Sequence, residues 1–150
     1  MSEKPQEQIP DTDKVETSGI LEFSTGLPGF EEHKQFFLES RTDLRPFLWL
    51  RSVDDPNVAL PVISCLLLKK QVILYLNQNH LKMLGGSSLD EIAPYYILRV
   101  DPKKGEITAN TKAPVLINPK TMRGRQVILD REDLRVDEPL SNLIASVGNE

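Results

Sequence analysis

The chain has 150 residues, with 18 basic and 22 acidic side chains and a net charge of −4, a size that suits one domain. Hydrophobic residues make up 39%, enough for a buried core, but the most apolar stretch, Val58 to Leu68, is broken by Pro61 and Ser64 and falls short of the ~20 residues of a spanning helix. One cysteine excludes an internal disulfide, and Met1 to Glu7 carries no apolar run of the secretory kind, so a cytoplasmic location is expected.

Residues 1–18 hold five acids, two lysines and two prolines, with Ile9 and Val15 as the large aliphatics. Such a segment buries too little apolar surface to offset the entropy of ordering, which predicts a disordered acidic leader. The remaining 132 residues carry 16 basic and 17 acidic groups. Nucleic-acid binding through the phosphate backbone normally calls for a basic excess, and this balance argues against it. From Gly19 the texture becomes short apolar runs divided by Gly, Pro, Asp and Asn, the pattern of strands in a sandwich or barrel.

The predicted strands are Ile20 to Phe23, Gln35 to Glu39, Phe47 to Arg51, Ala59 to Leu67, Val72 to Leu76, Tyr95 to Val100, Glu106 to Asn110, Val115 to Asn118 and Gln126 to Leu129. Asp54-Asp55-Pro56-Asn57 and Lys69-Lys70 read as turns. Asp101 to Gly105 reads as a hairpin connection that makes the flanking strands antiparallel neighbours. Trp49 shares a strand face with Phe47 and Arg51, opposite Leu48 and Leu50. A sheet packed on both sides accounts for both faces, whereas the other solution leaves Phe47 and Trp49 on a partner-binding surface; burial is the expectation.

Helix is scarce. Gln78 to Leu84 is expected to be helical and to stop at Gly85-Gly86. Ser88-Leu89-Asp90-Glu91 fits a capping box for about one turn before Pro94. At the end, Leu140, Leu143, Ile144 and Val147 recur at helical spacing, a short amphipathic tail over 141–150 that could dock, bind a partner or fray.

Enzyme constellations are missing from the sequence. His33 and His80 have no Cys or His at zinc-ligand spacing. Cys65, inside Val62-Ile63-Ser64-Cys65-Leu66-Leu67-Leu68, reads as a core thiol. There is no Gly-x-Ser-x-Gly elbow, phosphate-cradling loop or dinucleotide fingerprint, so neither catalysis nor a cofactor is expected. Lys112, Lys120, Arg123 and Arg125 are followed by Asp130, Glu132, Asp133, Asp137 and Glu138. That bipolar run is either a surface that steers a charged protein partner or two ordinary solvated loops. Asn110 and Asn118 are expected to satisfy backbone groups where strands enter turns.

Particular strings go further. Gly26-Leu27-Pro28-Gly29-Phe30 with Lys34-Gln35-Phe36, Pro46-Phe47-Leu48-Trp49-Leu50-Arg51-Ser52-Val53, Thr108-Ala109-Asn110-Thr111-Lys112-Ala113-Pro114-Val115-Leu116-Ile117-Asn118 and Arg125-Gln126-Val127-Ile128-Leu129 together resemble the flagellar assembly factor FliW family, in order and spacing, from Ile20 to Leu140. Arg51, Leu60-Pro61 and Thr111-Lys112 depart from the usual pattern. The resemblance implies a mainly β fold, a compact antiparallel barrel-like or roll domain over 19–140 with one or two short helices. It also implies a non-enzymatic, chaperone-like role in bacterial flagellum biogenesis. Members bind flagellin, here expected through its C-terminal region, and the translational regulator CsrA; binding CsrA relieves repression of flagellin synthesis. No direct nucleic-acid or membrane contact is expected, and the free chain is expected to be monomeric. The contact residues expected are Gly29, Phe30 and Glu31 with Asn118, Lys120, Arg123 and Arg125.

Two other classes fit less well. An oligonucleotide-binding β-barrel would use Lys112 to Arg125 with Tyr95, Tyr96 or Trp49 as stacking platforms. A thiol enzyme would use Cys65 with His80.

Overall fold

Alternating apolar residues along short strands produce two faces, and in the strands that carry Val62, Tyr96 and Leu116 both are covered. The structure is a computed structural model and describes residues 14–69 and 75–144. In chain order its elements are β1 (Val15–Thr17), β2 (Leu21–Glu22), β3 (Gln35–Arg41), β4 (Leu48–Ser52), β5 (Ala59–Ser64), α1 (Gln78–Met83), β6 (Ala93–Val100), β7 (Ile107–Ala109), β8 (Val115–Asn118), β9 (Arg123–Gln126) and β10 (Glu138–Pro139), joined by loops and short 3-10 turns. The strand order β6-β5-β4-β3-β2-β9-β8 returns to β6 and closes a seven-stranded barrel. Its neighbours are antiparallel apart from one parallel step, where Glu22 of β2 faces Arg123 of β9.

Strand β6 serves three neighbours. Tyr95–Ile97 pair with β5 on one side; on the other, Ala93–Tyr95 pair with β8 and Leu98–Val100 pair with β7. The last β5–β6 pair on the β7 side is Val62 with Ile97. Beyond it the two strands part, and the barrel opens there.

One core fills the barrel: Leu21, Phe23, Leu27, Phe36, Leu50, Val62, Val115 and Ile117. A second packs outside it, where Ile63, Tyr96, Leu98, Leu116 and Val127 meet Leu81 and Leu84 of the α1 region, Cys65, and Leu140 and Leu143. Consecutive residues of β5 and β6 therefore point into different cores, Val62 inward and Ile63 outward. That explains why these strands read as continuous apolar runs.

Several expectations change. Val15–Thr17 pair with Thr17 opposite Glu39 and Val15 opposite Arg41, so the end of the expected leader belongs to the sheet; residues 1–13 lie outside the described residues. The strand expected over Ala59 to Leu67 ends at Ser64, whose hydroxyl accepts the Leu66 N–H at 3.2 Å and turns Cys65–Leu67 into a 3-10 turn. Of the strand expected over Val72 to Leu76, residues 72–74 lie outside the described residues.

The capping box forms at Asn77 rather than Ser88. Asn77 Oδ1 accepts the Asn79 and His80 N–H groups at 2.9 and 3.1 Å, and His80 Nδ1 accepts the Asn77 N–H at 3.0 Å. Ser88 instead donates to Asp90, and Glu91 reaches back to Ser87. The expected tail helix begins as a 3-10 turn, Leu140–Asn142. Leu140 and Leu143 dock in the outer core and Ile144 stays exposed; Val147 lies outside the described residues. Trp49 is half-buried between Glu39 and Pro61 on neighbouring strands. Arg51 pairs with Glu39 at 2.6 Å on the same strands.

The strand expected at Gln126 to Leu129 is instead centred on Arg123–Gln126. Here Gly124 takes an inward position against Phe23, and an added Cβ would meet three ring carbons at 2.3 to 2.7 Å. The ring fills the volume a strand residue would otherwise supply, so no apolar signal marks this strand. The chain continues alongside β8 through Val127 N–H to Pro114 and Leu129 N–H to Lys112.

Candidate functional site

The loop from Ser24 to Lys34 is locked before it reaches the surface. Gly26 has φ +67°, and a Cβ there would lie 2.7 Å from Glu31 Cα, so the close approach needs glycine. The Phe30 N–H donates to Leu27 at 2.7 Å and the His33 N–H to Phe30 at 3.0 Å. Glu31 accepts the exposed Gly29 N–H at 3.1 Å. Backbone hydrogen bonds from Glu31 itself and from Gly29 hold the Glu31 carboxyl below its ordinary range. His33 Nδ1 sits 2.7 Å from Ser52 Oγ, which already accepts the Asp54 and Asp55 N–H groups. The His33 ring bridges Phe30 and Phe36 at 6.2 and 6.4 Å between centroids.

This loop forms one wall of an apolar cavity of about 510 Å³ at the open end of the barrel. Leu27, Leu60 and Ile97 reach its floor from the inner core, and Pro28 and Phe30 come from the loop. Ile128 and Val136 stand on the rim, 73% and 63% exposed. Asn110, Lys112, Ala113 and Gln126 complete the lining. Mouths of β-barrels are among the recurrent places for ligand sites.

The other expected contacts lie along β9 and the turn before it. Asn118 is 0% exposed. Its Oδ1 accepts the Lys120 N–H at 2.9 Å and the Thr121 N–H at 3.4 Å, while its amide donates to Leu84 at 3.3 Å. It is a turn former whose buried side chain is taken up by these bonds. The same turn holds Met122 at φ 58° and directs its side chain to the inner core. Lys120 reaches Glu91 at 3.6 Å. Hydrogen bonds from Ser87, led by its N–H, and the Lys120 charge lower the Glu91 pKa. Arg123 and Arg125 line a shallow depression of about 200 Å³ with Glu22, Ser24 and Met83.

The expected basic run is therefore divided. Lys112 belongs to the barrel mouth, whereas Lys120, Arg123 and Arg125 lie on β9 and its turn. The acidic run that follows is partly paired within itself, with Arg131–Asp133 at 3.0 Å and Arg135–Asp137 at 3.2 Å. Thr111 ties this segment down by accepting the Arg135 N–H and donating to its carbonyl. Ile128 and Val136 escaped the sequence reading. The available signals were a solitary valine in a charged segment and the outward member of Val127-Ile128-Leu129.

The residues of the rival classes are placed otherwise. Tyr96 is buried and hydrogen-bonded to the Cys65 thiol, and Tyr95 packs on the inner core, so neither presents a free stacking face. Burial raises the Cys65 pKa, and His80 Nδ1 is engaged in capping α1. Among the described residues no three His, Cys, Asp or Glu side chains gather as metal ligands, and no helix is long and apolar enough to cross a membrane.

Residues 6–140 match the family model described as FliW protein. The chain belongs to the FliW family. It is 33% identical over 129 residues to the flagellar assembly factor FliW of Thermosipho africanus, covering 85% of this chain and 89% of the relative. Against the flagellar assembly factor FliW of Thermotoga neapolitana the identity is 36% over 123 residues, covering 81% and 83%. A crystal structure of the flagellar assembly factor FliW superposes with a TM-score of 0.66 at 30% identity, over 85% of this chain and 87% of that one. The FliW match spans the loop, the mouth and β9 together.

Proposed function

We propose that this FliW-family chain is a cytoplasmic protein-docking factor of flagellum assembly. It binds flagellin through flagellin's C-terminal region, and binds CsrA in a way that relieves repression of flagellin synthesis. The observation that carries this reading is the apolar barrel mouth with Ile128 and Val136 exposed on its rim. Exposed apolar side chains around a concave apolar mouth support a protein-binding reading. Gly29, Phe30 and Glu31 border that surface, and Lys120, Arg123 and Arg125 supply a basic face that steers an acidic partner surface and fixes register. The output is occupancy, with no group transferred and no bond broken. The compact unit is the domain over 19–140, with Val15–Thr17 added to its sheet, and the free chain is a monomer.

Titration calorimetry with purified flagellin, CsrA and a flagellin leader RNA tests the reading. Both proteins are expected to give saturable heats and the RNA none. Heat from the RNA alone would overturn it.

A further inference from the structure

We propose that the barrel mouth is a peptide-docking site that takes an extended segment of a partner protein bearing bulky apolar side chains next to a carboxylate. This rests on the protein-docking reading above and specifies the site and the chemistry of its occupant.

The floor and rim supply the apolar half of the match. Leu60 and Ile97 are reachable because β5 and β6 part beyond the Val62–Ile97 pair. The exposed side chains of Ile128 and Val136 come from two separate segments onto one rim, where covering them removes apolar surface from water.

The polar half points to a peptide. Asn110 Oδ1 accepts the Ala113 N–H at 3.1 Å, and Gln126 Nε2 donates to the Ala113 carbonyl at 2.9 Å. These bonds fix both amide orientations, since an N–H needs the oxygen and a carbonyl needs the NH2 group. The Asn110 NH2 and the Gln126 Oε1 are left over, and among the described residues neither has a hydrogen-bond partner. One donor and one acceptor beside an apolar trough are what the carbonyl and N–H of a visiting main chain require. A purely apolar small molecule leaves both unmet.

Charge selects the rest. Lys112 is the one ionised group among the lining residues, in a chain of net charge −4. Its ammonium donates to the Arg131 carbonyl at 3.3 Å, which fixes its position and leaves further N–H donors for a carboxylate.

The test is calorimetric titration of flagellin and of CsrA into the full chain and into Ile128→Glu, Val136→Glu, Ile128→Ser and Lys112→Glu, with urea melts to show that each variant folds. Both rim residues are exposed, so the fold is expected to persist. The expected result is that Ile128→Glu, Val136→Glu and Lys112→Glu weaken the same partner at least tenfold, and Ile128→Ser at least threefold. If the unchanged chain binds a partner and every variant binds it within threefold, the mouth is not the site and the docking reading survives without it. If the unchanged chain binds neither protein, the docking reading fails and this inference falls with it. Loss in the apolar variants but not in Lys112→Glu would overturn the carboxylate. A self-associating wild-type chain made monomeric by Ile128→Glu would give the mouth to a second copy instead.

Discussion

Gly124→Ala is the sharpest test of how the barrel is filled, because two physical effects give it opposite signs. Glycine in a strand interior costs roughly 0.5–1 kcal/mol relative to alanine through backbone entropy, and Gly124 shows no positive φ that would forbid a side chain. Propensity alone therefore predicts stabilisation. The packing says otherwise. A methyl group at Gly124 would sit 2.3, 2.5 and 2.7 Å from three carbons of the Phe23 ring, against the ~3.5–4.0 Å of a relaxed carbon contact. Phe23 is 0% exposed and stands edge-on to Phe36 with centroids 5.2 Å apart, so the ring has nowhere to go. Overpacking of this kind costs about 1–3 kcal/mol, and three simultaneous clashes put Gly124→Ala at the upper end. Net of the entropic gain, a loss of about 2 kcal/mol is expected, or about 4–8 °C in Tm for a chain of this size. Urea unfolding followed by the fluorescence of Trp49, the single tryptophan, measures it directly. Adding Phe23→Leu to Gly124→Ala makes room for the methyl group, so the double variant is expected to be less destabilised than the sum of the two singles. A Gly124→Ala chain as stable as wild type or more so would refute the close-packed Phe23–Gly124 contact.

Asn118→Ala strips the acceptor from the Lys120 and Thr121 N–H groups and is expected to cost about 2 kcal/mol, with partner affinities unchanged in native buffer; a lost partner at unaltered stability would instead make Asn118 a contact. The Glu91 pKa is lowered in the fold from an ordinary value of 4.5, so its contribution is fully present above that value and disappears as pH falls through the lower folded value. Glu91→Gln is accordingly expected to flatten the acid limb of the stability curve below about pH 4.5. Parallel acid titrations of the two chains followed by circular dichroism check this, and superimposable acid limbs would count against it.

Much of the barrel was legible because its strands alternate or run apolar. Val115–Asn118 falls on its expected bounds, and β3, β4 and β5 begin within a residue of theirs. The failures have specific causes. β9 carries Arg-Gly-Arg-Gln, and its inward volume is supplied by a phenylalanine from another strand. β1 is exposed at all three residues and held by main-chain pairing, which leaves no hydrophobic pattern to read. Ser88 and Asn77 both offer a cap, but only Asn77 is followed three residues on by a side chain, His80, that returns the hydrogen bond in the folded chain.

The candidate surface was half legible. The loop around Phe30 stood out by its glycines and aromatic ring, and Asn110 and Asn118 do satisfy backbone groups at strand ends. The mouth depends on where β5 and β6 part and on side chains from segments far apart in sequence. Nothing local announces it.

A competitive titration reaches the central claim most directly. CsrA is titrated into the chain alone and into the chain saturated with flagellin, and flagellin is then titrated into the chain saturated with CsrA. A docking body whose output is occupancy predicts that each protein weakens the other by the same factor, because coupling between two ligands is reciprocal. Two proteins that bind with affinities unaffected by each other would contradict it.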